Sequence, residues 1–209
     1  MGGCPCPLPD ALGTIPASTC DIQWDKINKM SICRQRIWES TTTQEVSTVD
    51  QIKTLSEWSA DLSASDDTRQ FITVRVGNFV MVPGAARTVD YDGNTTATGS
   101  YESTTVNFDY QGIGSDELEE MRKLTCEPTL FAIFFDSDKN IIHGLNGTVI
   151  NGFELAIKTF TSTDMGQEEL AGLIIAHGQL QLVDGWSSGT GVTISAPDDF
   201  NPLFDLVNS

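Results

Sequence analysis

A chain of 209 residues with 29 acidic against 12 basic side chains has a formal charge of -17, which argues against ordinary nucleic-acid binding, because phosphate contacts need clustered lysine and arginine. The same charge suits a wall along which DNA slides without sticking, and it equally suits plain solubility. No window approaches the roughly 18 consecutive apolar residues of a membrane-spanning helix, and the start lacks a basic-then-apolar leader, so a cytosolic, unprocessed chain with no membrane partner is expected.

Residues 1–21 hold prolines at positions 5, 7, 9 and 16 and follow neither a helical nor a strand period, which predicts an extended N-terminal arm. Prolines lower the entropy lost when such an arm is laid along a neighbour, so Cys4 and Cys6 within it are candidate interface residues. A terminus without a partner fits the same composition.

Met30 and Ile32 alternate within a strand predicted over 28–38. Thr48 stands three residues before Gln51 as a capping hydroxyl, and Val49, Ile52, Leu55 and Trp58 recur every three residues. This predicts a helix near 49–58 whose apolar stripe lies on a sheet or a partner. Phe71, Thr73 and Arg75 alternate with Ile72, Val74 and Val76 in a strand over 70–82, punctuated by Gly77-Asn78 and by Pro83-Gly84. Tyr91 to Ser100 is a loop by composition, and Tyr101 to Tyr110 restores the alternation, giving a hairpin with a long, flexible tip.

Ser115-Asp116-Glu117 at one end and Arg122-Lys123 at the other match the helix dipole, predicting a helix near 115–125 that buries Leu118, Met121 and Leu124. Phe131 to Phe135 is apolar on both faces, which marks a central strand covered by that helix on one side and by sheet on the other. Asp136 to Asn140 reads as a tight turn and Ile141 to Gly144 as its return strand. Strand patterns continue over 152–184, and 196–209, with Pro197, Asp198, Asp199 and Pro202, reads as an extended, acidic C-terminal arm. The expected architecture is mainly β: a β-sandwich or barrel over 22–195, flanked by one main α-helix, with extended N- and C-terminal arms.

Candidate chemistry is sparse. Asp136-Ser137-Asp138-Lys139-Asn140 opens like a calcium loop, but Ile141 stands where that loop needs glycine and Gly147 where it needs glutamate, so a hairpin turn is the better reading. The pairs Asp66-Asp67 and Asp198-Asp199 fit solvated loops. Cysteines at 4, 6, 20, 33 and 126 show no CxxC spacing, which argues against structural zinc. His143 and His177 have no serine, cysteine or carboxylate at a triad-like spacing and read as packed or surface histidines. No catalytic residue, cofactor or metal ligand is expected. Trp24, Trp38, Trp58 and Trp186 fall near predicted element ends; Trp24, Trp58 and Trp186 are candidate interface anchors, with core packing as the other reading.

The opening Cys4-Pro-Cys-Pro-Leu-Pro9, its continuation through Ala11-Leu-Gly13, Ile15-Pro16 and Ser18-Thr-Cys20, and the later run Cys126-Glu-Pro-Thr-Leu-Phe-Ala-Ile-Phe-Phe-Asp136 resemble virion structural proteins of tailed phages that infect Bacteroidetes, including crAss-like phages. In its element order the chain is similar to tail-tube and ring proteins of such phages. The resemblance implies a homo-oligomer, a hexameric or dodecameric ring stacked through loops and arms. Its neighbours would be other tail, portal or capsid proteins of the virion, and DNA would pass without specific binding. It implies residence in the virion, in the host cytoplasm during assembly, and no catalytic residues. A capsid-decorating or head-stabilising virion protein fits the same features. A host- or glycan-binding β-sandwich would need an exposed aromatic cluster, for which Tyr91, Tyr101 and Tyr110 are the candidates.

Overall fold

The computed structural model describes residues 22–33, 49–62, 71–91, 94–146, 149–156, 158–163, 166–167, 174–189 and 191–208. The expected arm at 1–21 with Cys4 and Cys6, the end of the 28–38 strand with Trp38, the Thr48 cap and the pair Asp66-Asp67 lie outside the described residues.

A 3-10 turn at Trp24–Lys26 enters β1 (Ile27–Cys33), followed by the helices α1 (Val49–Ile52) and α2 (Leu55–Leu62) and the strands β2 (Phe71–Val82), β3 (Ala86–Tyr91), β4 (Asn94–Tyr101) and β5 (Thr104–Tyr110). Helix α3 (Ser115–Lys123) leads into β6 (Phe131–Asp136), β7 (Ile141–Asn146), β8 (Val149–Asn151) and β9 (Phe153–Glu154). Then come β10 (Thr161–Ser162), β11 (Gly166–Gln167), β12 (Ile174–Leu182), α4 (Trp186–Gly189), β13 (Gly191–Ser195) and α5 (Pro202–Asp205).

The protein is mainly β, as the strand alternation predicts, with antiparallel pairing throughout the order β10-β12-β5-β2-β1-β6-β7-β13. The segment that follows β9 joins β6 to β12 within this path. Leu155 N–H donates to Leu130 O (2.9 Å) beside β6, while Ala156 N–H donates to Gln181 O (2.7 Å) and Val183 N–H to Glu154 O (3.0 Å) along β12. The circuit β6, β1, β2, β5, β12 and back through 153–156 is therefore closed, which makes a small barrel and removes its edges.

Inside the barrel, β5 contributes Thr104, Val106, Phe108 and Tyr110 in strict alternation, facing Met30, Ile32, Ala132, Phe134, Leu180 and Leu182. Gly178 stands opposite Phe108 in register, where a Cβ would lie 2.2 Å from the ring; only glycine leaves the phenyl its place. Helix α3 connects the end of β5 to the start of β6 across one mouth and inserts Leu118, Met121 and Leu124 into the same cluster. Its first turn is fixed by Glu117, whose carboxylate accepts the Gly114 N–H (2.8 Å). The other mouth is filled by aromatic rings: Trp24 packs edge-on to Phe134 (5.9 Å) and to Trp186 (5.7 Å), and Trp186 edge-on to Phe153 (5.2 Å).

Strand β6 is buried on both faces, but its covers differ from the expectation. Helix α3 belongs with the inner cluster, reached by Ala132 and Phe134. The outer face, Phe131, Ile133 and Phe135, packs against Ile52, Trp58 and Leu62 of α1 and α2, with Ile141, Ile150 and Leu206. A closed barrel gives each strand one face to the interior, so a second cover must come from outside it.

Four other expectations change in detail. The helix near 49–58 is two short helices broken at Lys53-Thr54, and the pattern over 152–184 is divided among β9, β10, β11 and β12. Residues 94–100, expected as loop, form β4 together with Tyr101. The C-terminal segment 196–208 is largely irregular, as expected of an arm, yet it is docked on the barrel: Thr73 N–H donates to Asn208 Oδ1 (2.9 Å), Asn208 Nδ2 to Thr73 O (2.7 Å), and Leu206 is buried. Burying one leucine is worth roughly 1.5–3 kcal/mol, enough to hold a short tail in place.

Candidate functional site

Among the described residues, strands β3 and β4 pair with each other and with no other strand. The root of this ribbon is fixed: Glu102 N–H donates to Ala85 O (2.8 Å), and the Arg87 guanidinium meets Asp184 at 2.6 Å. Gly84 sits so close to the opposite strand that a Cβ there would lie 1.9 Å from Glu102 O. Beyond the root, residues 86–90 are all exposed, and Val89 and Tyr101 are 54% and 57% exposed. Sequence supplies β4 with Thr, Ala, Gly and Ser between Asn94 and Tyr101, without a charge or a proline. Those are the devices that ordinarily blunt an edge strand. Val80 and Val82 extend the exposed apolar surface onto the neighbouring end of β2.

The expected interface residues fall elsewhere. Trp58 is fully buried, its Nε1 donating to Ile52 O (2.9 Å) and its ring edge-on to Phe135, so it is a core residue closed to any neighbour. Trp24 and Trp186 are part of the aromatic plug, with Trp186 Nε1 donating to Thr104 Oγ1 (2.9 Å). Tyr110 is also interior, its phenol pushed up to about 12 by desolvation, which a nearby Ser162 hydroxyl opposes. The exposed tyrosine cluster expected of a glycan site is thus reduced, Tyr110 being unavailable to it.

His143 is fully buried, with Nε2 against Ser195 Oγ (2.9 Å) and Nδ1 against Gly144 O (2.8 Å). Burial lowers its pKa, and the Gly144 carbonyl pulls the other way. It reads as a packed residue joining β7 to β13. His177 is exposed and bonds through Nδ1 to Asp109, its cross-strand partner in β5. The Asp136–Asn140 segment is the expected turn: Asp136 Oδ1 accepts Asn140 N–H and Oδ2 accepts Asn140 Nδ2, each at 2.8 Å, so the carboxylate is spent on the hairpin. Among the described residues, no three His, Cys, Asp or Glu converge on a point that would hold a metal ion, and no helix is long and apolar enough to cross a membrane.

A cavity of about 350 Å³ opens between β1, β2, α3 and the segment 203–208. At its base Lys29 is buried and donates to the carbonyls of Leu206 and Leu203, strapping the C-terminal segment to β1. Its pKa is lowered to about 8, first by desolvation and then by Arg75, with Asp205 opposing. Arg75 faces Lys29 directly across the β1–β2 pairing, and its guanidinium lies 5.5 Å from the centre of the Phe204 ring.

No family model, curated protein or solved structure matches the chain. The ribbon and the cavity are therefore read from their own chemistry. Sequence reasoning missed both. Strand β4 of the ribbon shows no apolar period, and the cavity joins β1 to residues more than 170 positions away. A signal for the ribbon was present in the β-branched threonines of β4.

Proposed function

We propose that the protein is a non-enzymatic structural subunit that self-assembles through the β3–β4 ribbon, and that, in line with its resemblance to phage tail-tube and ring proteins, it is part of a tail or neck ring in a virion. The observation that carries this reading is the ribbon itself: two strands held at their root, with residues 86–90, Thr95 and Tyr101 exposed and a β4 edge that carries no blunting charge or proline. An isolated two-stranded ribbon is marginal in water, so its long exposed strands make sense when a neighbouring copy completes the sheet. The barrel interior is filled from mouth to mouth, so any DNA passage runs between copies rather than through one. A surplus of acid over base suits such a passage, because a negative wall does not retain a polyanion.

The test is excision. Replacing residues 86–101 by a two-residue Asn-Gly turn bridges Ala85 and Glu102, which already share a backbone hydrogen bond, and leaves the barrel intact. In multi-angle light scattering the parent chain gives a concentration-dependent oligomer and the trimmed chain a folded monomer. An oligomer of the same size after excision removes the ribbon from the assembly.

A further inference from the structure

The geometry points to a second site: the cavity between β1, β2, α3 and the segment 203–208 binds an amphipathic carboxylate, its carboxylate held by Arg75 and Lys29 and its apolar body lying along Ile72, Met121, Leu124 and Val207. Like charges set directly opposite on neighbouring strands destabilise a sheet unless something compensates them. Lys29 and Arg75 are such a pair in register, and both line the cavity. Lys29 is satisfied as a donor by two carbonyls, but neutral carbonyls do not cancel its charge. Among the described residues neither base has an ion-pair partner.

Acids stand nearby, Glu117 and Glu120 in the cavity wall and Asp205 close enough to act on Lys29, but none lies within ion-pair distance of either base, and each has a partner of its own. Glu117 accepts the Gly114 N–H, Glu120 pairs with Lys123, and Asp205 accepts the Asn201 N–H at 2.6 Å. Two adjacent bases with no carboxylate in ion-pair contact, among the described residues, leave room for an incoming anion. The planar guanidinium favours a carboxylate. Thr73, Gln111, Glu117, Glu120 and Asn208 share the wall with the apolar side chains, which a bare anion would leave unfilled, and the volume stands at the small end of the roughly 300–1,000 Å³ range of small-molecule sites. The site is independent of the ribbon and of assembly.

Isothermal titration calorimetry of the full chain at neutral pH tests this, with decanoate as the probe and decan-1-ol and inorganic phosphate as comparators. Saturable decanoate binding is expected, weakened about tenfold or more by Arg75→Gln and by loss of the carboxylate in decan-1-ol. Phosphate gives no measurable heat. Val207→Trp, placed at an exposed position that lines the mouth, blocks binding. Absence of saturable decanoate binding, equal affinity in Arg75→Gln, or equal affinity for decan-1-ol overturns the assignment. Should a variant fail to fold, amide shifts of the parent chain decide: decanoate-induced changes centred on Lys29, Thr73, Met121 and Val207 support the site, and changes centred elsewhere overturn it.

Discussion

Trp58 and Lys29 show how much of this fold rests on single side chains. Trp58 fills the outer core with no exposed surface, donates its indole N–H to Ile52 O and meets Phe135 edge-on at 5.8 Å. Trp58→Ala should cost about 3–5 kcal/mol in chemical denaturation; a loss below about 1 kcal/mol would contradict its place in the core. The spacing of Ile52, Leu55 and Trp58 made the stripe legible, but not what it covers, because the same stripe serves a partner or an inner sheet. Lys29 gives a pH signature. Its folded pKa is about 8 against 10.5 for the free side chain. Between those values the unfolded chain binds more protons than the native one, so Lys29 adds stability as pH rises through that window, and its cost is fully present below it. Lys29→Met should remove this alkaline gain when the unfolding free energies of the two chains are compared from pH 8 to 10.5; parallel curves would contradict the burial. Neither the strap to Leu206 nor the opposition to Arg75 can be read from Lys29 in the sequence, since both depend on register and on the distant C-terminal segment.

At the scale of elements, legibility followed the periodicity of burial. Strand β5, α3 and the β6–β7 hairpin alternate or repeat as their burial demands, and they are where the apolar pattern places them. Strand β4 fails the same reading for a physical reason: its threonines, glycine and serine display no apolar alternation and look like loop. The ribbon depends on the close approach at its root. Gly84→Ala would set a methyl 1.9 Å from the Glu102 carbonyl, a backbone atom that cannot swing aside. We expect that variant to keep the melting temperature of the barrel within a few degrees while weakening self-association in sedimentation velocity. A large fall in melting temperature with unchanged association would show that the root belongs to the barrel and not to assembly.

For the whole molecule, the sequence supports a mainly β domain with one main helix, and the structure refines this to a barrel plugged by α3 at one mouth and by Trp24 and Trp186 at the other. The sequence left sandwich and barrel both open, because closure is made by a two-residue strand and three backbone hydrogen bonds, which leave no compositional trace. With the barrel interior filled, the β3–β4 ribbon, whose β4 edge carries neither charge nor proline, offers a place to extend the sheet, and the occupant we propose is another copy. The account therefore stands or falls on self-assembly. Negative-stain electron microscopy of the concentrated full-length protein tests this most directly. Closed rings or stacked tubes with an open centre are the expected image, and a uniform field of single barrels at every concentration would contradict it.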